Sequence, residues 1–161
     1  MNAREFRAGV NSRAEHVRRL VAVCGTGHVR QWVELKHPMV GFIQTGESVP
    51  VRTNSRGLSL RIREWWAAGD EHLLLTGCHY VLLGTVTGQE LLAFHRHEGR
   101  FPDGHYHLGP ASGELLEPLT RAHLPAPQLD LESFVLMLIT EFRVRPRRAD
   151  WESVLRGPGP T

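Results

Sequence analysis

The sequence is poor in lysine and cysteine. Lys36 is the single lysine among 19 basic residues, and Cys24 and Cys78 stand far apart in the chain. Cysteines at this spacing predict neither a disulfide framework nor a C-x-x-C zinc site, so we expect a reducing compartment. The formal net charge of +2 is also too small for the total charge alone to indicate a strong polyanion partner.

Long hydrophobic runs are absent as well. The longest apolar run, residues 134–139, is too short to span a bilayer, and residues 1–7 lack the apolar core of a signal peptide. We therefore expect a cytoplasmic protein with no membrane segment. With 161 residues, 41% hydrophobic and 22% charged, the chain predicts one globular domain over residues 1–156 and a fraying tail at 157–161.

Helical periodicity is concentrated at the two ends of the chain. A capping box that begins at Ser12 predicts a helix over residues 13–24. Asp130 is a good N-cap for a second helix over residues 131–143, which has a broad apolar face. A short terminal helix is expected at residues 151–156.

Between the helices the apolar period changes to two. Alternation predicts strands over residues 29–35, 58–66 and 72–84, with further short strands at 40–44 and 89–97. Turn residues separate them closely enough for an antiparallel meander. The fold expected is α+β, with a sheet of about five to six strands packed against the N-terminal and C-terminal helices.

Four of the ten histidines form two His-x-His pairs in the last predicted hairpin. His95 and His97 lie before the loop, and His105 and His107 lie after it. Because side chains alternate along a strand, both members of a pair leave the same face. A register that sets His97 opposite His105 also sets His95 opposite His107, with opposing Cβ atoms about 5 Å apart. Four imidazoles are therefore predicted on one side of the sheet.

Such a cluster suits a divalent metal such as zinc. A catalytic zinc site needs three protein ligands and an open position for water, which leaves a fourth histidine free to move protons. Further ligands could come from Glu98, Asp103 or His123. The predicted metal ligands are His95, His97, His105 and His107.

The cluster can also act without a metal. In that case His97 and His105 would serve as general base and general acid in phosphoryl transfer, because imidazole titrates near neutral pH. Arg100, in the hairpin loop, would hold the phosphate. Arg96 alternates to the opposite face of its strand and is a poorer candidate. His97, His105 and Arg100 are thus the predicted catalytic residues.

A third interpretation requires no catalysis. Histidines can line a solvated sheet face, or bind a structural metal, in an antitoxin-like or immunity-like interaction protein. His79, which alternates with Val81 and Leu83, is interpreted as a satisfied sheet residue. Trp32, Trp65, Trp66 and Trp151 are interpreted as core or sheet-face packing rather than as a base-stacking platform.

The half of the chain from residue 94 to residue 154 resembles a group of small uncharacterised bacterial proteins. The shared features are the His-x-His hairpin, His123-Leu124-Pro125, Leu131-Glu132-Ser133-Phe134, Pro146-Arg147-Arg148 and Asp150-Trp151. This resemblance carries over no catalytic residue.

Over the hairpin alone the chain is also similar to toxins of bacterial toxin–antitoxin modules. The function expected is hydrolysis of a phosphodiester, with RNA as substrate. The partners expected are RNA or another protein, including a second copy of the chain.

Overall fold

The computed structural model describes residues 1–46, 49–51, 57–84, 88–97, 101–112, 124–125 and 129–156. Within these ranges the elements are α1 (Ala3–Cys24), β1 (Val29–Glu34), β2 (Val40–Thr45), β3 (Val49–Val51), β4 (Leu58–Ala68), β5 (Leu73–Gly84), β6 (Glu90–His97), β7 (Phe101–Leu108), a 3-10 turn (Pro110–Ser112), β8 (Leu124–Pro125), α2 (Leu131–Thr140) and α3 (Trp151–Arg156). No helix in the described part of the chain is both long and apolar enough to cross a bilayer.

The strands form one antiparallel sheet in the order β1-β2-β4-β5-β6-β7-β8. The short strand β3 also pairs with β4, at positions beyond those that β2 occupies. The α+β prediction is confirmed. The sheet has more strands than the five or six expected, because β3 and β8 are too short to show a pattern of alternation.

The N-terminal helix begins at Ala3 rather than at residue 13. Asn2 accepts hydrogen bonds from the backbone nitrogens of Arg4 and Glu5, and the Glu5 carboxylate accepts one from the backbone nitrogen of Asn2. This capping box replaces the predicted one at Ser12, which lies inside the helix.

The C-terminal helices agree more closely with the prediction. Asp130 caps α2, since its Oδ1 accepts a hydrogen bond of 2.7 Å from the backbone nitrogen of Ser133. The helix ends at Thr140 instead of residue 143. The predicted terminal helix is α3, at the expected position.

Helices cover one face of the sheet, which we call the inner face. Tyr80, Phe94 and Tyr106 pair in register across β5, β6 and β7 and point to this side, where Phe134 of α2 packs 5.6 Å from Tyr80 between ring centroids. Phe6 of α1 belongs to the same buried core. Because side chains alternate, the residues between them in each strand point to the opposite, outer face.

The tryptophans divide between the two faces. Trp66 and Trp151 pack against the core, as predicted. Trp32 and Trp65 lie on the outer face and are exposed, and Trp65 packs there against Phe42 of the neighbouring strand.

Candidate metal centre

Histidines from three neighbouring strands meet on the outer face. In the register of the sheet, His79 of β5 lies opposite His95 of β6, and His95 lies opposite His105 of β7. His97 and His107 follow two residues further along β6 and β7, and therefore point to the same side. Five imidazoles share one surface.

The observed hairpin register differs from the predicted one. His105 pairs with His95 rather than with His97, and His107 pairs with Ala93 rather than with His95. The reason is that β7 begins at Phe101, directly opposite His97, so the connection between the strands is shorter than expected. The predicted partners were therefore wrong, although the shift is by an even number of residues.

An even shift preserves the face on which each side chain lies. The ring centroids of His95 and His107 are 4.5 Å apart, those of His105 and His107 are 4.8 Å apart, and those of His97 and His105 are 5.6 Å apart. The prediction that these four imidazoles share one side of the sheet is confirmed.

Gly104 allows β7 to make this irregular pairing. Between the pairs His97–Phe101 and His95–His105, β7 has three residues where β6 has one. Gly104 is one of the three and has a φ of 88°. A Cβ built on it would lie 2.3 Å from Cζ of Phe94, so both the backbone conformation and the packing require glycine.

His79 belongs to the cluster, which the sequence did not indicate. Its ring stands edge-on to that of His95, with centroids 3.9 Å apart. Among the described residues, the buried Nε2 atoms of His79 and His95 have no hydrogen-bond partner. The interpretation of His79 as a satisfied sheet residue is therefore wrong.

His105 and His107 are joined directly by a hydrogen bond. Their Nε2 atoms are 2.9 Å apart. One ring must donate and the other must accept, and an imidazolium has no acceptor. At least one of the two rings is consequently neutral in this arrangement.

The environment also keeps the rings of His79 and His95 neutral. Burial, and then the charges of Arg63 and Arg61, lower the pKa of His79 to about 4. Burial, followed by the neighbouring histidines, lowers the pKa of His95 to about 3. Neutral imidazole is the form that coordinates metals, so no proton has to be displaced from these rings at neutral pH.

Among the residues that the structure describes, two overlapping groups of donor atoms could hold a metal ion. In the first, one nitrogen each from His95, His105 and His107 lies within 4.8 Å of the others. The second consists of His79, Glu90 and His95 at the same spacing. Burial raises the pKa of Glu90, an effect that Arg61 opposes.

Not all the predicted site residues join these groups. His97, a predicted ligand, belongs to neither donor group, although its ring lies beside that of His105. Asp103 is exposed and is likewise outside both groups. Arg100, predicted to hold the phosphate, lies outside the described residues, as do Glu98 and His123.

Arginines adjoin the histidines from β4. Arg63 is the register partner of His79, and Arg61 is the partner of Val81 on the same face. Arg96 pairs with the buried Cys78 and points to the inner side, as alternation predicts.

Comparison of the chain with family models, curated proteins and solved structures finds no match.

Proposed function

We propose that the protein binds a divalent transition metal such as zinc through His95, His105 and His107, and hydrolyses phosphodiester bonds there. The observation that carries this proposal is the convergence of three imidazole nitrogens within 4.8 Å, from two adjacent strands. Imidazole is a preferred ligand of zinc, and three protein ligands leave one position for water.

The spacing of the donors supports the assignment. Zinc–nitrogen bonds of about 2.0–2.1 Å at tetrahedral angles place ligand nitrogens about 3.3 Å apart. The Nε2 atoms of His105 and His107 are 2.9 Å apart, so a small rotation of either ring reaches that separation. The low pKa of His95, about 3, keeps its ring neutral and able to coordinate.

The remaining residues fit the needs of phosphodiester hydrolysis. A bound metal ion would acidify a water molecule and polarise a phosphoryl oxygen. When water attacks phosphorus, a P–O ester bond breaks and the leaving oxygen needs a proton. His97 lies outside the donor groups with its ring 5.6 Å from that of His105, which suits it to supply this proton.

Two arginines give the face its preference for an anion. Arg63 and Arg61 adjoin the cluster on the outer face and would attract the negatively charged phosphodiester. In this proposal they take the part that the sequence assigned to Arg100.

The test uses protein expressed without a histidine tag. The purified chain should retain about one zinc, manganese or cobalt ion by elemental analysis. Loaded with metal, it should hydrolyse bis(4-nitrophenyl) phosphate. His95→Ala and His107→Ala should each lower metal affinity and turnover by about 100-fold or more, whereas His72→Ala, at an exposed histidine, should change neither. Metal retention that is equal in all the variants would contradict the proposal.

A second mechanism is favoured by the hydrogen bond between His105 and His107. A pair of imidazoles that share a proton can act as general acid and base without metal. Turnover that survives chelation of the metal but is lost in His107→Ala would select this mechanism. Metal binding with no turnover on any phosphodiester would instead favour a structural metal in an interaction protein.

The toxin-type role has its own test. If the substrate is cellular RNA, strong expression of the protein should arrest bacterial growth, and His107→Ala should relieve the arrest. Normal growth with the wild-type chain fully expressed and metal-loaded would count against an RNA toxin.

A further inference from the structure

An aromatic row crosses the outer face and leads to the histidine cluster. Trp32 of β1 pairs with Phe42 of β2, and Phe42 pairs with Trp65 of β4. The same row continues through Gly77 of β5 to His97 of β6. Side chains at paired positions point to the same side, so the three aromatic rings and His97 lie along one line across the strands.

The two indoles of this row are open to solvent. Trp32 is 53% exposed and Trp65 is 40% exposed. Phe42 supports Trp65 from the side, with ring centroids 5.3 Å apart and planes inclined by 41°. A large indole that stays exposed presents a flat π-face to a ligand, and in Trp65 the contact with Phe42 also fixes its position.

Gly77 leaves the surface between Trp65 and His97 without a side chain. A Cβ built on Gly77 would lie 3.4 Å from Cε3 of Trp65, which is contact distance. The indole therefore lies next to bare backbone, and no side chain rises between Trp65 and His97 in this row. Adjacent strands are about 4.8 Å apart, so two strand spacings separate Trp65 from His97 by about 10 Å.

A basic row runs parallel to the aromatic one. Arg30 of β1 pairs with Gln44 of β2, Gln44 pairs with Arg63 of β4, and Arg63 pairs with His79. Arg30 is exposed and Arg63 is half-buried. Positive charge thus follows the aromatic rings, two residues away along each strand, up to the proposed metal centre.

We propose that this face binds single-stranded nucleic acid, with bases stacked on Trp32 and Trp65 and the backbone phosphates beside Arg30 and Arg63. Aromatic rings beside a basic track are the two components of sequence-tolerant single-strand binding, because every base has a π-face and every linkage a negative charge. The inference rests on the proposed function in one respect: the strand bound along the aromatic row is taken to be the substrate of the proposed metal centre.

A protein partner is the less favoured occupant. Exposed tryptophans also occur at protein interfaces. Within β1 and β4, however, the charged side chains on this face are Arg30, Arg61, Arg63 and Glu34, so three are positive and one is negative. This balance of charge complements a polyanion.

The probe is a fluorescently labelled single-stranded oligonucleotide with 2′-O-methyl riboses, used with EDTA in the buffer, so that neither a ribose hydroxyl nor a metal-activated water can cleave it. Its anisotropy at low salt gives the affinity of the intact protein. Trp32→Ala and Trp65→Ala should each weaken binding by about tenfold, while Trp32→Phe and Trp65→Phe should restore most of it. Phe142→Ala, at an aromatic residue that is 37% exposed beyond α2, is the matched control and should bind as the wild type does.

The salt dependence tests the basic row separately. Replacing Arg63 by Gln should reduce the slope of log affinity against log salt by about 0.7 for a single strand. Trp32→Ala should weaken binding without changing this slope, because stacking releases no counterions.

Three results would overturn the inference. One is wild-type affinity in the doubly substituted Trp32→Ala/Trp65→Ala protein. Another is binding of duplex as tight as that of single strand. The third is self-association that light scattering detects in the wild type and not in Trp32→Ala, which would assign the face to a second copy of the chain.

The metal-centre variant separates this inference from the proposed function. His107→Ala should lose metal and turnover but keep its affinity for the uncleavable strand. Tight strand binding by a wild-type protein that binds no metal would support the platform and refute the metal centre. Metal-dependent hydrolysis of a small diester, with no strand binding, would do the reverse.

Discussion

The two faces of the sheet each carry a cluster of polar side chains, and the clusters are built differently. On the inner face the Glu64 carboxylate is completely buried. It accepts two hydrogen bonds from the Arg13 guanidinium, one from the Tyr80 hydroxyl and one from the Trp66 indole. Arg13 also donates to Glu132, so its charge is shared by two carboxylates.

The outer cluster has the opposite character. Its members are all histidines. Where the charges of the inner cluster are paired, His79 and His95 are kept neutral because burial lowers their pKa values. The Nε2 atoms of these two rings are buried and have no hydrogen-bond partner among the described residues. A buried polar atom in that state costs stability.

The contrast indicates different uses for the two clusters. A network whose donors and acceptors complete one another fixes the packing of α1 and α2 on the sheet. Neutral imidazoles with buried nitrogens that lack a partner can instead coordinate a metal ion, which would supply the missing partner.

The largest expected effect comes from breaking the inner network. Arg13→Met leaves the Glu64 carboxylate buried without its charge partner, and we expect a loss of about 3–5 kcal/mol in the free energy of unfolding. Chemical denaturation of the metal-free protein measures it. Arg156→Met, which removes an exposed partner of Glu152 on α3, is the control and should cost less than about 1 kcal/mol. Equal losses in both variants would remove the distinction between the clusters.

A metal ion should stabilise the folded protein through the outer cluster and not through the inner network. At a free zinc concentration of about 100 times the dissociation constant, we expect about 2.7 kcal/mol of added stability. His95→Leu should abolish this gain, because His95 belongs to both donor groups. Thermal denaturation with and without zinc tests the prediction, and a zinc-dependent rise in Tm that persists in His95→Leu would contradict it.

Substitution within the outer cluster should not destabilise the metal-free protein. His79→Leu removes a buried nitrogen that has no partner in the described structure. It places an apolar side chain on the same face of β5 as the buried Val81. We expect the free energy of unfolding to stay constant or rise by about 1 kcal/mol, opposite in sign to the effect at Arg13. A loss comparable to that of Arg13→Met would show that His79 supports the fold.

The smallest effect distinguishes the clusters by pH. The pKa values of His79 and His95 in the folded protein, about 4 and about 3, lie below their value of about 6.5 in the unfolded chain. The unfolded chain therefore binds more protons between these limits, and stability should fall as the pH falls from about 6.5 towards 4.

The inner network should respond at lower pH. Burial raises the pKa of Glu132, but the hydrogen bond with His16 and the charge of Arg13 outweigh this effect and lower the pKa to about 2. Its contribution is present above its unfolded pKa of about 4.3 and is lost as the pH falls towards 2. In Tm profiles, the double variant His79→Leu/His95→Leu should flatten the upper range and leave the lower one. A profile unchanged in the upper range would refute the assignment.

The sequence predicted those features that depend on local periodicity. Alternation along β6 and β7 places a His-x-His pair on one face in any register with the partner strand. Asp130 caps α2 through a hydrogen bond to a residue only three positions later in the chain. The pairing of His95 with His105 depends instead on the length of the connection and on the irregularity at Gly104, which alternation does not encode.

Contacts between distant segments were also beyond local patterns. His79 meets His95 only because β6 has one extra residue, Leu91, between the partners of Leu82 and Leu83. Arg13 and Glu64 are 51 residues apart, and neither segment contains a signal for the other. Such contacts follow from how α1 packs on the sheet.

The adjacent tryptophans of β4 give the protein a built-in optical sensor. Trp66 lies on the inner side, where its indole donates to Glu64 and Arg13 stands 5.8 Å from the ring. Trp65 is 40% exposed on the other side of the same strand. An indole exposed to water emits at longer wavelength than a buried one. A quencher dissolved in the buffer should therefore dim the red side of the emission, to which Trp32 and Trp65 contribute, more than the blue side, to which Trp66 and Trp151 contribute.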